Sequence, residues 1–405
     1  MPRKNRPIGD VAAFTENKEK LPMKNLFTLF LSLFILTLAG AETPRYLLFD
    51  GKQGVFVETP QKAEKSAICL VSPQKGETLP LLTLQHKEYL ALPDETRREK
   101  FSGELKKAKK LPESCNQVKL VWKNPASPVT VTVSESPDLT SAVSVTTTRK
   151  EITLGNLKIA TRYYWKVSDA NGSSETAFFD TENVAPRVLS VKGTWNVRDL
   201  GGRIGLNGRR VRQGMLYRSA GLNENSSGGK AGRGRLDPAT RNYVSECLGW
   251  KTDLDLRNEK ECAKMTRSPA GENVGWVHIP SSMYGYIVDK NFGRDAFKKE
   301  LLLLLDEKNY PLVFHCINGK DRTGTLAYIL LALLGVGEKE LLLDWEFTRL
   351  CKPSAGLEYA WIDEMRRNFA RYAPGESIHV QVEKWVLSLG ITQDEIARFR
   401  NIMLE

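Results

Sequence analysis

The chain of 405 residues carries 59 Lys+Arg against 48 Asp+Glu, a net charge of +11, with 41% hydrophobic and 26% charged residues. This length predicts two or three domains, the hydrophobic fraction excludes global disorder, and six Cys are too few for a small disulfide scaffold. The positive excess points to an anionic partner without saying which one.

At the amino terminus, Met23-Lys24-Asn25 precede an apolar run from Leu26 to Leu38 that ends in Ala39-Gly40-Ala41. A short positive region, an apolar core and small residues at −3 and −1 predict a secretory signal cleaved after Ala41. The run is too short for a comfortable membrane span, so no stable span is expected after cleavage. An uncleaved anchor is the alternative. The first 22 residues fit no part of a signal, which favours a natural start at Met23 over an extended n-region. Residues 1–41 hold six Lys+Arg and three Asp+Glu, so the mature chain is expected to carry +8 and to be periplasmic or secreted.

Residues 42–114 combine two strand-like runs, Tyr46–Phe49 and Val55–Glu58, with a basic helical stretch from Arg97 to Lys110. They read as a small spacer or packing region with a solvated charged face and no chemistry. Residues 115–184 contain regular short β-branched and aromatic runs separated by Pro, Asn, Asp and Gly, which predicts an all-β sandwich. The stretch from Asn156 to Val167 resembles the late strands of a fibronectin type III domain, with Leu157 and Tyr163 placed as in a tyrosine corner. That resemblance implies a binding or spacing module, with a protein or glycan as its ligand.

From Pro186 onward the pattern becomes α/β. Asp237-Pro238 supplies an N-cap and a Pro at N1, and Thr252–Leu256, Trp276–Ile279 and Pro311–Phe314 read as strands. Helices are expected at Phe297–Leu305, Arg322–Leu334, 337–350, 357–371, 377–388 and from Gln393. Alternation of this kind predicts a parallel sheet covered on both faces. Residues 222–236 read as a mobile loop. The expected organisation is therefore 1–41, 42–114, 115–184 and 186–405.

The chemistry concentrates in Val313-Phe314-His315-Cys316-Ile317-Asn318-Gly319-Lys320-Asp321-Arg322-Thr323-Gly324. A strand ends at a Cys, five residues form a loop, and Arg-Thr-Gly opens a helix. Successive backbone N–H groups and a helix N-terminus make an anion nest, and Arg322 can hold two phosphate oxygens in a fork. The same field favours the Cys316 thiolate, an activated nucleophile beneath a bound phosphate. Gly319 permits the tight turn and Gly324 a close helix approach.

His-Cys-x5-Arg-Thr resembles the signature of the cysteine-dependent protein tyrosine phosphatase superfamily, and its Gly-Lys-Asp-Arg-Thr-Gly variant resembles bacterial secreted enzymes that also accept phosphoinositides. Asn196-Val197-Arg198-Asp199-Leu200-Gly201-Gly202, Leu216-Tyr217-Arg218-Ser219, Asp253-Leu254-Asp255-Leu256-Arg257 and the carboxy-terminal Trp385–Met403 fit that subfamily in order. The resemblance implies an α/β tyrosine-phosphatase fold from about 190 to 403 and a phosphoric monoester hydrolase acting on a phosphorylated protein or a phosphoinositide. It makes Cys316 the nucleophile, and Arg322 with the amides of residues 317–322 (Ile317, Asn318, Gly319, Lys320 and Asp321 among them) the phosphate cradle. Thr323 becomes a donor that helps Cys316 leave, and His315 a residue that orients the loop. No Trp-Pro-Asp tripeptide is present, so the general acid stays open between Asp255, Asp321 and Asp289, and pairing of Asp255 with Arg257 is the bland alternative. Arg198, Asp199 and Arg218 either brace the site through salt bridges or extend it. Lys320 either adds charge for multiply phosphorylated rings or faces solvent.

No Cys or His pair shows zinc spacing, so neither metal nor cofactor is expected. A Cys69–Cys115 disulfide is conceivable in an oxidising compartment, and Cys247, Cys262 and Cys351 read as buried small hydrophobes. Two other function classes remain: an inert phosphate-binding surface protein, disfavoured because Cys316 and Arg322 are both present, and a nucleic-acid binder, disfavoured by the lack of any aromatic–basic motif.

Overall fold

The computed structural model describes residues 47–49, 68–110, 114–223, 236–263, 265–351 and 356–405. The signal expected over residues 23–41, the strand expected at Val55–Glu58 and most of the loop expected at 222–236 lie outside the described residues. Residues 42–405 form one compact unit.

Two sheets face each other in the first part of that unit. One has the order Leu47–Phe49, Glu151–Gly155, Val118–Lys123, Cys69–Ser72. The other runs Glu77–Leu79, Ala177–Thr181, Arg162–Asp169, Val129–Ser134, Val143–Thr147. Period-two alternation directs Val118, Leu120 and Trp122 from the first sheet against Val131, Val133, Tyr163 and Trp165 from the second, all in one buried core. Burying each of these side chains contributes roughly 1.5–3 kcal/mol. The Lys158 N–H donates to the Tyr163 hydroxyl at 2.9 Å beside buried Leu157, Leu157 and Tyr163 being the two residues singled out in the sequence.

The boundary expected at 114/115 is corrected. Cys69–Ser72 pairs with Val118–Lys123, and Glu77–Leu79 pairs in parallel with Ala177–Thr181, so the sheets draw strands from both sides of it. Between those strands lie two helices, Leu84–Ala91 and Glu95–Lys107. The second carries the basic run. Its face is not wholly solvated, because Arg98 is buried. The conceivable Cys69–Cys115 disulfide is also corrected: both thiols are free, one exposed and the other buried.

The second part is an α/β layer around a sheet ordered Arg187–Val188, Arg198–Asp199, Leu216–Ser219, Leu312–His315, Thr252–Asp255, Gly275–His278. The last four strands are mutually parallel. Leu312–His315 is central and buried at every position, as a strand covered on both faces must be. It feeds the helix Arg322–Leu333, which is apolar around its whole circumference and buried from Thr323 to Leu333. Helices Glu338–Glu346, Tyr359–Ala370, Ile378–Ser388 and Gln393–Met403 complete the layers. The loop between His315 and Arg322 thus sits at the carboxyl end of the central strand and the amino end of the most deeply buried helix.

Candidate active site

The loop turns tightly because it must pass under neighbouring backbone. Gly319 has φ +63°, and a Cβ there would lie 2.5 Å from the Ser219 carbonyl oxygen. At Gly324 a Cβ would meet the Trp345 ring at 2.8 Å, so only glycine lets the helix start pack. Cys316, at the loop's origin, is 3% exposed. Burial pushes its thiol pKa up, but the Arg322 charge and the side chain and backbone N–H of Thr323 outweigh that and lower it. The buried Thr323 hydroxyl has no other hydrogen-bond partner among the described residues.

Arg322 is held at the mouth by a carboxylate that sequence reasoning missed. Its Nη1 and Nη2 donate to Glu261 at 2.7 and 3.2 Å, with both side chains about one-sixth exposed. Glu261 sits at N3 of the short helix Glu259–Cys262, in a capping box with Asn258. The Asn-x-x-Glu signal was legible, yet it says nothing about what else that Glu reaches.

Below the mouth lies a buried cluster. His315 Nε2 is 2.9 Å from Asp253 Oδ1, and its Nδ1 is 3.1 Å from the Cys316 carbonyl oxygen. Burial acts to lower the His315 pKa, but Asp255 and Asp253 together raise it. His315 is thus fixed between Asp253 and the Cys316 carbonyl, behind the start of the loop. Asp255 is fully buried and accepts from Arg257 Nε at 2.8 Å and Nη2 at 2.6 Å. Despite its burial, the His315 and Arg257 charges hold its carboxyl well below the usual range. This is the pairing with Arg257 named above as the alternative to a general-acid role for Asp255. Asp289 is tied to Asn368 at 2.7 Å and to Arg371, on the helix Tyr359–Ala370 and the turn after it.

Asp321 differs. It occupies the N-cap position of Arg322–Leu333 but makes no capping bond. Instead its Oδ1 accepts from the Tyr284 hydroxyl at 2.7 Å and lies 3.2 Å from Lys320 Nζ, with the side chain 23% exposed. Tyr284 adopts φ +52°, a strained conformation for a bulky residue, and its hydroxyl also accepts from Trp345 Nε1 at 3.2 Å. No sequence signal marked it. Lys320 Nζ donates to Gly356 O at 2.9 Å, so it is neither freely solvated nor committed to a substrate ring.

Arg198 and Arg218 brace the loop. They stand opposite each other on adjacent strands and converge with Arg203 on one carboxylate, Asp344, all four side chains being at most 2% exposed. Burial and then the Arg198 charge lower the Arg218 pKa to about 10, while the three arginines hold Asp344 far below its usual value against its burial. Arg218 Nη2 and Asn196 Nδ2 both donate to the Gly319 carbonyl, at 2.5 and 2.9 Å. Asp199 works elsewhere: it accepts from Arg187 at 2.8 Å and from the Gly201 N–H at 2.8 Å, fixing its own turn.

A profile of the tyrosine phosphatase family matches residues 189–405, this α/β layer with its loop except for the first strand. The chain belongs to the tyrosine phosphatase family. Among curated relatives it is 31% identical over 40% of its length to a provisionally named tyrosine-protein phosphatase of Cupriavidus necator. It is 37% identical over 16% to the inositol diphosphatase DSP2 of Arabidopsis thaliana, and 28% identical over 28% to a tyrosine-protein phosphatase of Nostoc commune. The matched stretches span 66%, 30% and 44% of those three proteins. Among solved structures, P. aeruginosa TpbA in complex with phosphotyrosine aligns at 16% identity over 45% of this chain and 91% of its own, with a TM-score of 0.28. The core catalytic domain of the PP-IP phosphatase SIW14 from S. cerevisiae aligns at 17% over 40% and 93%, with a TM-score of 0.24.

Proposed function

We propose that this member of the tyrosine phosphatase family is an exported phosphomonoesterase that hydrolyses phosphotyrosine through a cysteinyl-phosphate intermediate. The observation that carries the reading is the Cys316 thiol, lowered in pKa although it is buried, at the floor of a loop whose Arg322 stands ready at the rim. The Cys316 sulfur attacks phosphorus in line and the phosphorus–oxygen bond to the phenol breaks. Arg322, using N–H donors not engaged by Glu261, and the loop amides stabilise the equatorial oxygens. Asp321 gives its proton to the departing oxygen. It then takes one from the water that attacks the cysteinyl phosphate, and release of phosphate returns the thiolate. Thr323 supports that second departure.

Asp321 is the better acid because it is partly exposed and beside the thiolate's own loop, whereas Asp255 is enclosed with Arg257. Dual specificity is compatible with this mouth. A second reading, a phosphoinositide or inositol phosphate substrate, draws on the Arabidopsis relative and on Lys320. It is weaker, because Lys320 already donates to the Gly356 carbonyl and Arg322 to Glu261. Export rests on residues 23–41, and the sandwich serves as a fibronectin-like binding or spacing module.

The test compares residues 42–405 with Cys316→Ser on para-nitrophenyl phosphate, a phosphotyrosine peptide and a phosphoinositide panel. Release only by the wild type, fastest on the peptide, is expected; equal release by both would sink the enzyme reading. In pH–rate profiles, Asp321→Asn is expected to lose the basic limb, and its retention would reassign the acid.

A further inference from the structure

The segment from Asp344 to Arg349 is gripped from two sides. Toward the active site, Asp344 binds Arg218, which donates to Gly319 O at 2.5 Å, and Thr348 Oγ1 accepts at 3.3 Å from Asn196, which donates to the same carbonyl. On the opposite side lie the helices Leu84–Ala91 and Glu95–Lys107. Arg98 forks onto Glu346, with Nε–Oε2 2.5 Å and Nη2–Oε1 3.1 Å, while its Nη1 donates to Leu92 O at 2.9 Å. The Tyr89 hydroxyl donates to the Glu346 carbonyl at 3.1 Å, and the His86 and Tyr89 rings sit 5.0 and 6.2 Å from that of Phe347. Leu82, Tyr89, Phe347 and Leu350 share one small core. Glu346 is fully buried, and Arg98 is 4% exposed.

Glu346 belongs to the family-matched segment, but its guanidinium partner comes from outside it. Glu346 and Asp344 are two residues apart on the helix Glu338–Glu346, so a shift of its last turn moves both. A carboxylate left buried without its cation is relieved by moving toward water, and here that movement would draw Asp344 away from Arg218 and release the Gly319 carbonyl. We infer that the helical pair inserted between the sandwich strands Glu77–Leu79 and Val118–Lys123 is part of the catalytic apparatus, with Arg98 a positioning residue that sets the phosphate loop through Glu346, Asp344 and Arg218. The inference rests on reading that loop as a phosphate site.

The experiment follows loop order directly, in residues 42–405. Alkylation of Cys316 by iodoacetamide is measured across pH by mass spectrometry of its peptide, with and without inorganic phosphate, beside turnover of para-nitrophenyl phosphate. Arg98→Met is expected to move the Cys316 titration upward, weaken phosphate protection, and cut kcat/KM by about tenfold to a hundredfold. Arg98→Met/Glu346→Gln, which leaves no unpaired carboxylate, is expected to recover most of both. Should Arg98→Met fail to fold, Tyr89→Phe, which removes only the hydroxyl bond to the Glu346 carbonyl, is expected to shift the titration in the same direction by a smaller amount. A Cys316 titration and phosphate protection identical to wild type in the folded variant, even with a lowered melting temperature, would overturn the inference and make the helices passive. A wild type with an ordinary thiol titration and no turnover would instead sink the enzyme reading, so the two failures are distinguishable.

Discussion

Two arginine–carboxylate centres lie within one loop's reach, made of the same chemistry and doing opposite work. At the mouth, Arg322 and Glu261 form a forked pair about one-sixth exposed. Behind the loop, Arg198, Arg203 and Arg218 surround Asp344 with almost no exposure at all. Water at the first lets a phosphate compete for guanidinium donors. Exclusion of water at the second makes any exchange costly, because a buried charge cannot give up its partner without a large desolvation penalty. Exposure, rather than residue type, separates the arginine that can act from those that hold the loop in shape.

The sharpest way to break this comparison is to damage each centre and measure both activity and stability. Arg322→Lys keeps the charge but loses the fork, and a fall in kcat/KM of about a thousandfold is expected, with the melting temperature within a few degrees of wild type. Asp344→Asn leaves three buried guanidinium groups without a counter-charge. A loss of about 3–5 kcal/mol is expected, read as a drop in the urea midpoint. If Arg322→Lys destabilised as much as Asp344→Asn, the distinction between a working and a holding centre would fail.

How much of this was legible follows the same division. The strand, loop and helix that carry Cys316 and Arg322 are contiguous, so the order of Val313 to Gly324 displays them, and the turn glycines announce themselves by residue type. The alternating strands of the sandwich were readable for the same local reason. Asp344, Tyr284 and Glu261 reach the loop from separate elements, and only the packed sheet brings them there. Asp344 shares the buried face of its helix with Leu341 and Trp345, a signal of a kind the sequence carries, but nothing in the chain's order pairs it with arginines more than a hundred residues away. Asp255 shows a related limit: its neighbour Arg257 is in view in the sequence, while the His315 beside it and its complete burial are not. The strand at Glu77–Leu79 was missed because its pairing with Ala177–Thr181 spans the whole sandwich.

A third carboxylate sharpens the comparison, because it is buried with no arginine. Glu300, on the helix Asn291–Leu303, is fully buried, and its oxygens find no hydrogen-bond partner of good geometry among the described residues. Burial raises its pKa from 4.5 to about 7, the Ser281 side chain offsetting only part of the effect. The folded state therefore holds this proton more tightly than the unfolded one. Its contribution is fully present below pH 4.5, declines as pH rises toward 7, and is lost above that, by about 3 kcal/mol in all. Glu300→Gln is expected to gain on the wild type in urea unfolding at pH 8 and to show little gain at pH 4.5. A gain independent of pH would mean that the carboxyl does not titrate in this window.

The smallest expected effect is the most informative about the mouth. Glu261→Gln leaves a hydrogen-bond acceptor for Arg322 but removes the charge that shares the guanidinium with substrate. Two consequences oppose each other. Weaker tethering lets the fork wander, and misorientation of a group that stabilises the transition state lowers kcat, here by about tenfold. At the same time the guanidinium is freed of a competing anion, and a ligand that needs only charge binds at least as well, so inhibition by inorganic phosphate is expected to tighten by about twofold to fivefold. Steady-state kinetics with phosphate as inhibitor would read both. If kcat and phosphate affinity fell together, Glu261 would be part of the mouth's architecture, holding it as Asp344 holds the loop behind. Divergence of the two is the signature of a pair built to open.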